Sequence, residues 1–443
     1  MNRVVLGRAL ALLLGLPGCD EPSPCVAFPS EMHSPAGMLL AGRPDEVTIF
    51  ANVGFAGDCE GVANPVIDSV YAEIFDPDQQ PVPNESSLVT PSTPAASIRF
   101  TPAKVGSYRF FVAFDPLSQI QQFDLLAVHD RSTEPPLQML LSSCNALERT
   151  RSGTWICDAN VFRGSVFVQS LPGVRVAVAG DVVWVASGSQ LLRYKDIGTE
   201  LQLTATMVQQ LGPAEHMLVS EDEAVLLLSN WIQRVTFDGT ALSATSPTQW
   251  ALLASGNRLG DEGPQGLLFR TGERLSLLQN SSGLEGVRLQ SCAYELIEGR
   301  YVRTTQPCES IEGFAVGFEP SVLWVADRTF PGPGLTTLQR MELTETGFVL
   351  TATLSVPPTL ALAFPRQFNR SSALPVLAPN VRNDPALRTA VPVYHSEQSL
   401  LRLEHLDGEV AHQKASTSFF WGAVFQRNGT FSGVRIRSIA PAP

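Results

Sequence analysis

Positive charge is scarce in this chain. Its 443 residues carry 31 lysines and arginines against 43 aspartates and glutamates, a formal net charge of −12, and the only lysines are Lys104, Lys195 and Lys414. Nucleic acids and anionic lipid surfaces draw their affinity from clustered basic residues, so neither is expected as a main partner. Long apolar runs are also missing. Past residue 18 every candidate is broken by proline, glycine or charge, short of the ~20 residues a membrane-crossing helix needs. Absent too are the local signatures of familiar catalysts: no G-x-S-x-G, no H-E-x-x-H, no phosphate- or dinucleotide-binding glycine loop, no EF-hand loop and no C-x-x-C. No catalytic residue, resident metal or cofactor is therefore assigned. A centre assembled from residues far apart in the chain would leave no such motif.

What the chain does contain is core-forming material. Hydrophobic residues make up 44% and charged ones 17%, a balance that belongs to folded rather than disordered proteins. It opens "MNRVVLGRALALLLGLPGC", with Arg3 and Arg8 ahead of an apolar stretch too short to span a bilayer, followed at once by a cysteine. This is the layout of a signal peptide. "LPGC" resembles the lipobox of bacterial lipoproteins, with Pro17 replacing the commoner small or β-branched residue. The resemblance implies cleavage before Cys19, a diacylglycerol on its thiol, and further acylation, palmitate for example, at the new amino terminus. Residues 1–18 are then the signal and 19–32, rich in proline, a tether. The protein is expected in a bacterial cell envelope, held to a membrane by lipid. Asp20 resembles the inner-membrane retention signal of enteric lipoproteins. The alternative for Cys19 is a free or disulfide-bonded thiol behind an ordinary signal.

Seven cysteines is an odd number, and setting Cys19 aside leaves six. They fall into neighbouring pairs: Cys25 with Cys59, Cys144 with Cys157, and Cys292 with Cys308. The last two pairs bracket segments that read as strand, glycine turn and returning strand, around Gly153 and Gly299. Six cysteines allow fifteen connectivities; nearest-neighbour pairing is the favoured one, and an oxidising compartment follows from it.

Residues 33–130 carry strand-like runs separated by turn residues, among them "EVTIFANV", "SVYAEIFDP", "ASIRFTP", "GSYRFFVAFDP" and "FDLLAVHD". No long helical period intervenes, which suggests an antiparallel β-sandwich. "KVGSYRFFVAF" resembles the Gly-x-Tyr strand of immunoglobulin-like domains, and the resemblance implies that Tyr108 ties a loop to the sheet. "DRSTEPPLQ", with Pro135 and Pro136, marks a linker over 131–139.

Residues 140–443 repeat. "LLRY", "IQRV", "LQRM" and "LLRL" set Arg193, Arg234, Arg340 and Arg402 in one context, each after a more hydrophobic run: "VVWVAS", "AVLLLS", "VLWVAD" and "TAVPVY". Threonines follow eleven to thirteen residues later, at Thr206, Thr245 and Thr353, and "GLLFRTGERLSLL" keeps the hairpin with Leu277 in place of arginine. A unit of this length cannot bury both faces alone, so several must pack radially. The pattern resembles degenerate β-propeller repeats, without the Trp-Asp signature of WD repeats. The expected protein is all-β, an immunoglobulin-like sandwich followed by a six- or seven-bladed propeller closed by "SFFWGAVF" and "GVRIRSI". The recurrent arginines are expected to face solvent.

Three places invite chemistry. "YHSEQSLLRLEHLDGEVAH" offers His395, Glu397, Glu404, His405 and His412, without the spacing of a metal site. "SEDE" at 220–223 and "GDEG" at 260–263 read as solvated turns. "RQFNRSS" and "NVRNDPALR" place Arg366, Asn369, Arg370, Arg382 and Asn383 on an insertion too long for a simple connection, a candidate ligand-binding loop. The function expected is a non-catalytic, lipid-anchored module binding an unidentified protein, peptide or glycan through propeller loops. The competing expectation is an anchored polysaccharide hydrolase or lyase with its centre on the propeller axis.

Overall fold

A computed structural model describes residues 26–33, 38–56, 60, 67–90, 95–117, 120–130, 138–140, 147–173, 175–250, 266–283, 286–326, 336–356, 360–363, 376–379, 390–395, 400–405, 409–415, 420–428 and 431–438. Among these residues every regular element is a β-strand.

The first nine strands form two sheets around one core. Val26–His33, Asp45–Ala56, Ala95–Phe100 and Asn84–Thr90 make one; Met38–Ala41, Ile120–Asp130, Gly106–Asp115, Ser69–Phe75 and Pro81–Val82 make the other. Gly106–Asp115 shows why: Tyr108, Phe110, Val112 and Phe114 point inward at period two. They meet Val47, Ile49, Ile98 and Phe100 of the facing sheet, the alternation that a half-buried strand demands. Tyr108 is fully buried, and its hydroxyl accepts a hydrogen bond from the Lys104 backbone N–H at 2.9 Å.

The remaining strands are arranged as successive antiparallel blades of four strands, the outer strand being broken in two in blades 3 and 4. Blade 1 runs from Leu147–Arg149 to Val166–Ser170, blade 2 from Arg175–Ala179 to Leu201–Val208, and blade 3 from His216–Val219 to Leu242–Ala244. Blade 4 spans Gly266–Thr271 to Arg300–Arg303, blade 5 Phe314–Glu319 to Phe348–Val356, and blade 6 Leu360–Ala363 to Leu400–His405. Blade 7 takes Glu409–Ala415, Phe420–Asn428 and Phe431–Ser438 from the end of the chain, and its fourth strand, Gln138–Leu140, from before blade 1. The strand that opens blade 7 lies beside the one that opens blade 1. This is a β-propeller whose ring is closed by strand exchange between its two ends. The closing partner of the C-terminal strands is thus Gln138–Leu140, a few residues ahead of the expected cysteine hairpin and overlapping the end of the stretch read as linker.

Second strands of the blades are buried on both faces because a neighbouring blade covers each. Val182–Ser187, Glu223–Leu228 and Val322–Ala326 accordingly read as near-continuous apolar runs. Blade 6 departs from the repeat. "TAVPVY" and "LLRL" occupy its third and fourth places, so Arg402 is on the outer strand and exposed. The expected Arg/Asn-rich loop is not one excursion either, because its middle forms the strand Val376–Pro379.

Sandwich and propeller are joined along a strand. Glu404 and His405 of blade 6 pair in parallel with His129 and Asp130 of the sandwich. Met38, Leu40, Leu126 and Val128 share one apolar cluster with Trp324, Leu338, Ala390 and Leu403 of blades 5 and 6.

Candidate functional site

The third-strand arginines do not face solvent; they are clamps between blades. Arg193 is 5% exposed. Its guanidinium carbon lies 3.8 Å from the ring centroid of Phe237 in blade 3, and Nε and Nη2 donate to the Glu221 carbonyl at 3.2 and 3.0 Å. Arg234 of blade 3 donates to the Gly299 carbonyl of blade 4 at 3.3 Å, and Arg340 of blade 5 lies 4.2 Å over the ring of Tyr394 in blade 6. Each arginine has a threonine eleven residues on. The hydroxyls of Thr204, Thr245 and Thr351 donate back to the arginine's own carbonyl at 2.9, 3.2 and 3.0 Å. In blades 2 and 5 the guanidinium also donates to that hydroxyl, at 2.9 and 2.8 Å. Strand register slips there, between Arg193 and Tyr194 and between Arg340 and Met341, so the threonine is the unpaired residue of a β-bulge. The recurring Thr206 and Thr353 are therefore not the threonines that bond the arginines; Thr204 and Thr351 are. A guanidinium suits the place because its planar fork stacks on a ring while donating sideways.

The "SEDE" turn is solvated as expected at Ser220, Glu221 and Asp222, which are exposed, but not at Glu223, which is 8% exposed at the start of a buried strand. Its carboxylate joins Arg234, at 2.6 Å, to Arg270 of blade 4. Glu221 and Asp222 lie within 3.6 Å of Arg151 and Arg193.

At the axial end of blades 2 to 5 opens a cleft of about 340 Å³. Ala177 and Val178 come from the first strand of blade 2, Met217 to Val219 from that of blade 3 with Ser220 just after it, Arg270 lies near the end of that of blade 4 with Gly272 just after it, and Pro320 follows that of blade 5. First strands position these groups because they line the axis, and the cleft sits where they give way to turns. Arg270 is held on one side only. Its Nη1 pairs with Glu223 and its Nε donates to the Gly272 carbonyl at 2.9 Å, while its Nη2 has no partner among the described residues.

His216, next to the lining in sequence, is 1% exposed. Its Nδ1 accepts from the Leu268 backbone N–H at 3.1 Å, so the neutral ring carries its proton on Nε2. The ring stands edge-on to Phe318 of blade 5, with centroids 5.5 Å apart. Burial, and secondarily Arg175, hold its pKa down to about 3. Glu319, beside Pro320, is pushed above the usual carboxylate range by burial; Arg340 and the Trp324 indole N–H oppose that shift.

Of the expected site residues, Cys292 and Cys308 are disulfide-bonded to each other. Cys157 is also disulfide-bonded. Cys19, Cys25, Cys59, Cys144, Arg366, Asn369, Arg370, Arg382 and Asn383 lie outside the described residues, as do Glu397 and the "GDEG" segment. Glu404 and His405 are buried at the junction with the sandwich. The cleft residues left no signal in the sequence, because four short strands from four blades each supply one or a few of them.

No protein-family model matches the chain, and no curated protein matches it in sequence. Solved structures with a similar arrangement include a quinoprotein alcohol dehydrogenase-like protein from Bacteroides thetaiotaomicron, 7% identical over 91% of this chain and 93% of that one, with a TM-score of 0.33. AztD from Citrobacter koseri is 12% identical over 71% and 73%, with a TM-score of 0.29. The Pan2 WD40 domain of Neurospora crassa is 10% identical over 61% and 90%, with a TM-score of 0.25.

Proposed function

We propose that this protein is a lipid-anchored binding module of a bacterial cell envelope, non-catalytic, which takes its ligand in the axial cleft. The observation that carries the reading is the cleft itself: a concave, mostly apolar site with few polar side chains, Arg270 and Ser220, the usual make-up of a ligand pocket. The charged groups around it are engaged in holding blades together, which suits recognition better than proton transfer. The first domain is taken as immunoglobulin-like, supported by the two facing sheets and by the Tyr108 hydroxyl tied to the Lys104 backbone. Anchorage at Cys19 rests on the "LPGC" signal and on the odd cysteine count. Two acyl chains or more would hold firmly, since burial yields ~0.8 kcal/mol per CH₂.

Two measurements test this. Fatty-acid labelling in a bacterial host should mark the wild type and not Cys19→Ala; equal labelling of both, or none of the wild type, refutes the anchor. Compounds that raise the melting temperature in a metabolite screen should lose that effect on Val219→Trp, which fills the cleft. Hits unaffected by the substitution would place binding elsewhere.

A further inference from the structure

We infer that the ligand of the axial cleft is a small aliphatic carboxylate, a refinement that rests on the cleft being the binding site. The walls set the body of the ligand. Ala177, Val178, Met217, Val219 and Pro320 present hydrocarbon, and a space of about 340 Å³ is small even for a pocket. The polar end sets the head group. Arg270 and Arg234 share the single carboxylate of Glu223, so the trio holds one uncompensated positive charge. The other two acids of the Glu223 turn, Glu221 and Asp222, are drawn to Arg151 and Arg193 of the preceding blades, and Glu273 lies in the turn after Arg270.

The guanidinium is also held in place. Glu223 and the Gly272 carbonyl occupy Nη1 and Nε of this cleft-lining residue, which leaves Nη2 without a partner among the described residues. The exposed Ser220 at the rim has its backbone engaged, its N–H with the Glu223 carbonyl and its carbonyl with the Trp184 indole N–H at 2.9 Å, so the side-chain hydroxyl is available as a second donor. Donors converging beside an apolar wall fit an acceptor-only anion attached to a hydrocarbon chain. An amine would meet like charge, and an alcohol would forgo the ion pair and the paired acceptor oxygens of a carboxylate.

The test is calorimetric titration of the full chain as Cys19→Ala, so that no covalent acyl chain competes. Octanoate should bind, and octylamine and 1-octanol should bind at least ~10-fold more weakly, the worth of a hydrogen bond to a charged group. Arg270→Gln should weaken octanoate by a similar factor and Arg270→Lys by less. Ser220→Ala, which leaves the backbone bonds in place, should weaken it by a few-fold. N-acetylleucine distinguishes a peptide carboxyl end from a fatty acid as the natural source. No binding of octanoate, equal binding of octylamine, or undiminished binding to a folded Arg270→Gln overturns the carboxylate assignment. If octylamine or octanol binds and Val219→Trp removes it, the cleft stands as the site and only the ligand class fails. Octanoate binding untouched by Val219→Trp sinks both.

Discussion

Arg193 shows how much one side chain does when a blade must grip its neighbour. It stacks on Phe237, caps the Glu221 carbonyl and fills a bulge with Thr204. Truncation removes the stack and leaves a carbonyl and a hydroxyl short of donors. Arg193→Ala should therefore cost about 2–3 kcal/mol in urea unfolding. Lysine, lacking the planar fork, should recover less than half. The exposed Arg402→Ala should stay within about 0.5 kcal/mol, and equal losses at both sites would reject the clamp. His216 is a second case. Its folded pKa of about 3 lies below the unfolded value near 6.5, so the unfolded chain takes up the proton first as the solution is acidified. This contribution to stability is whole above pH 6.5 and drains away as the pH falls toward 3. His216→Gln should flatten the dependence of the urea midpoint on pH between 6.5 and 4. An unchanged slope would mean that the ring titrates normally.

At the scale of elements, the blades are joined by donation across their edges. The Arg151 backbone N–H reaches the Gly180 carbonyl at 2.8 Å, the Trp184 indole reaches the Ser220 carbonyl at 2.9 Å, and the Arg270 N–H reaches the Pro320 carbonyl at 3.0 Å. The turn after a first strand thus serves as acceptor for the preceding blade, and the cleft is bordered by turns already fixed in place. Blade 4 has a further support where its fourth strand is split, as that of blade 3 also is, into Arg300–Arg303 and Glu309–Glu312, both pairing with Gly286–Ile297. Cys308 stands at the break, bonded to Cys292 across 16 residues. Replacing both cysteines by alanine should lower stability by about 2–4 kcal/mol and open blade 4 first. Hydrogen exchange confined to 300–312 is the expected signature, and uniform loss of protection would argue against local support.

On the scale of the whole molecule, the sandwich is continuous with the propeller. Leu40 and Val128 of one pack with Trp324 and Leu403 of the other, and Arg43 pairs with Asp130 at 2.7 Å beside the shared strand edge. Calorimetry should accordingly show one unfolding transition, and Leu40→Ala should lower the propeller's stability by about 2–5 kcal/mol. Two transitions, with only the earlier one moved by Leu40→Ala, would show that the units fold separately. A cut in the Pro135-Pro136 stretch should leave both pieces co-eluting.

Local pattern was enough for part of this protein. Period-two alternation around Tyr108, the unbroken apolar second strands and the recurring arginines are written in neighbouring residues, so an all-β chain built from a sandwich and radial repeats was legible without coordinates. The Cys292–Cys308 hairpin was legible for the same reason, since its two ends are close in sequence. What the arginines do was not. Their partners, Phe237, Gly299 and Tyr394, belong to the next blade, and an exposed arginine and a clamping one look alike in a single strand. Nor could sequence place the short first strands, "HMLV" among them, whose burial comes from the axis rather than from any period of their own. The join through His129 and Glu404, and the cleft around Arg270, exist only because ring closure brings distant segments together. A contact between residues hundreds of positions apart leaves no local periodicity to read.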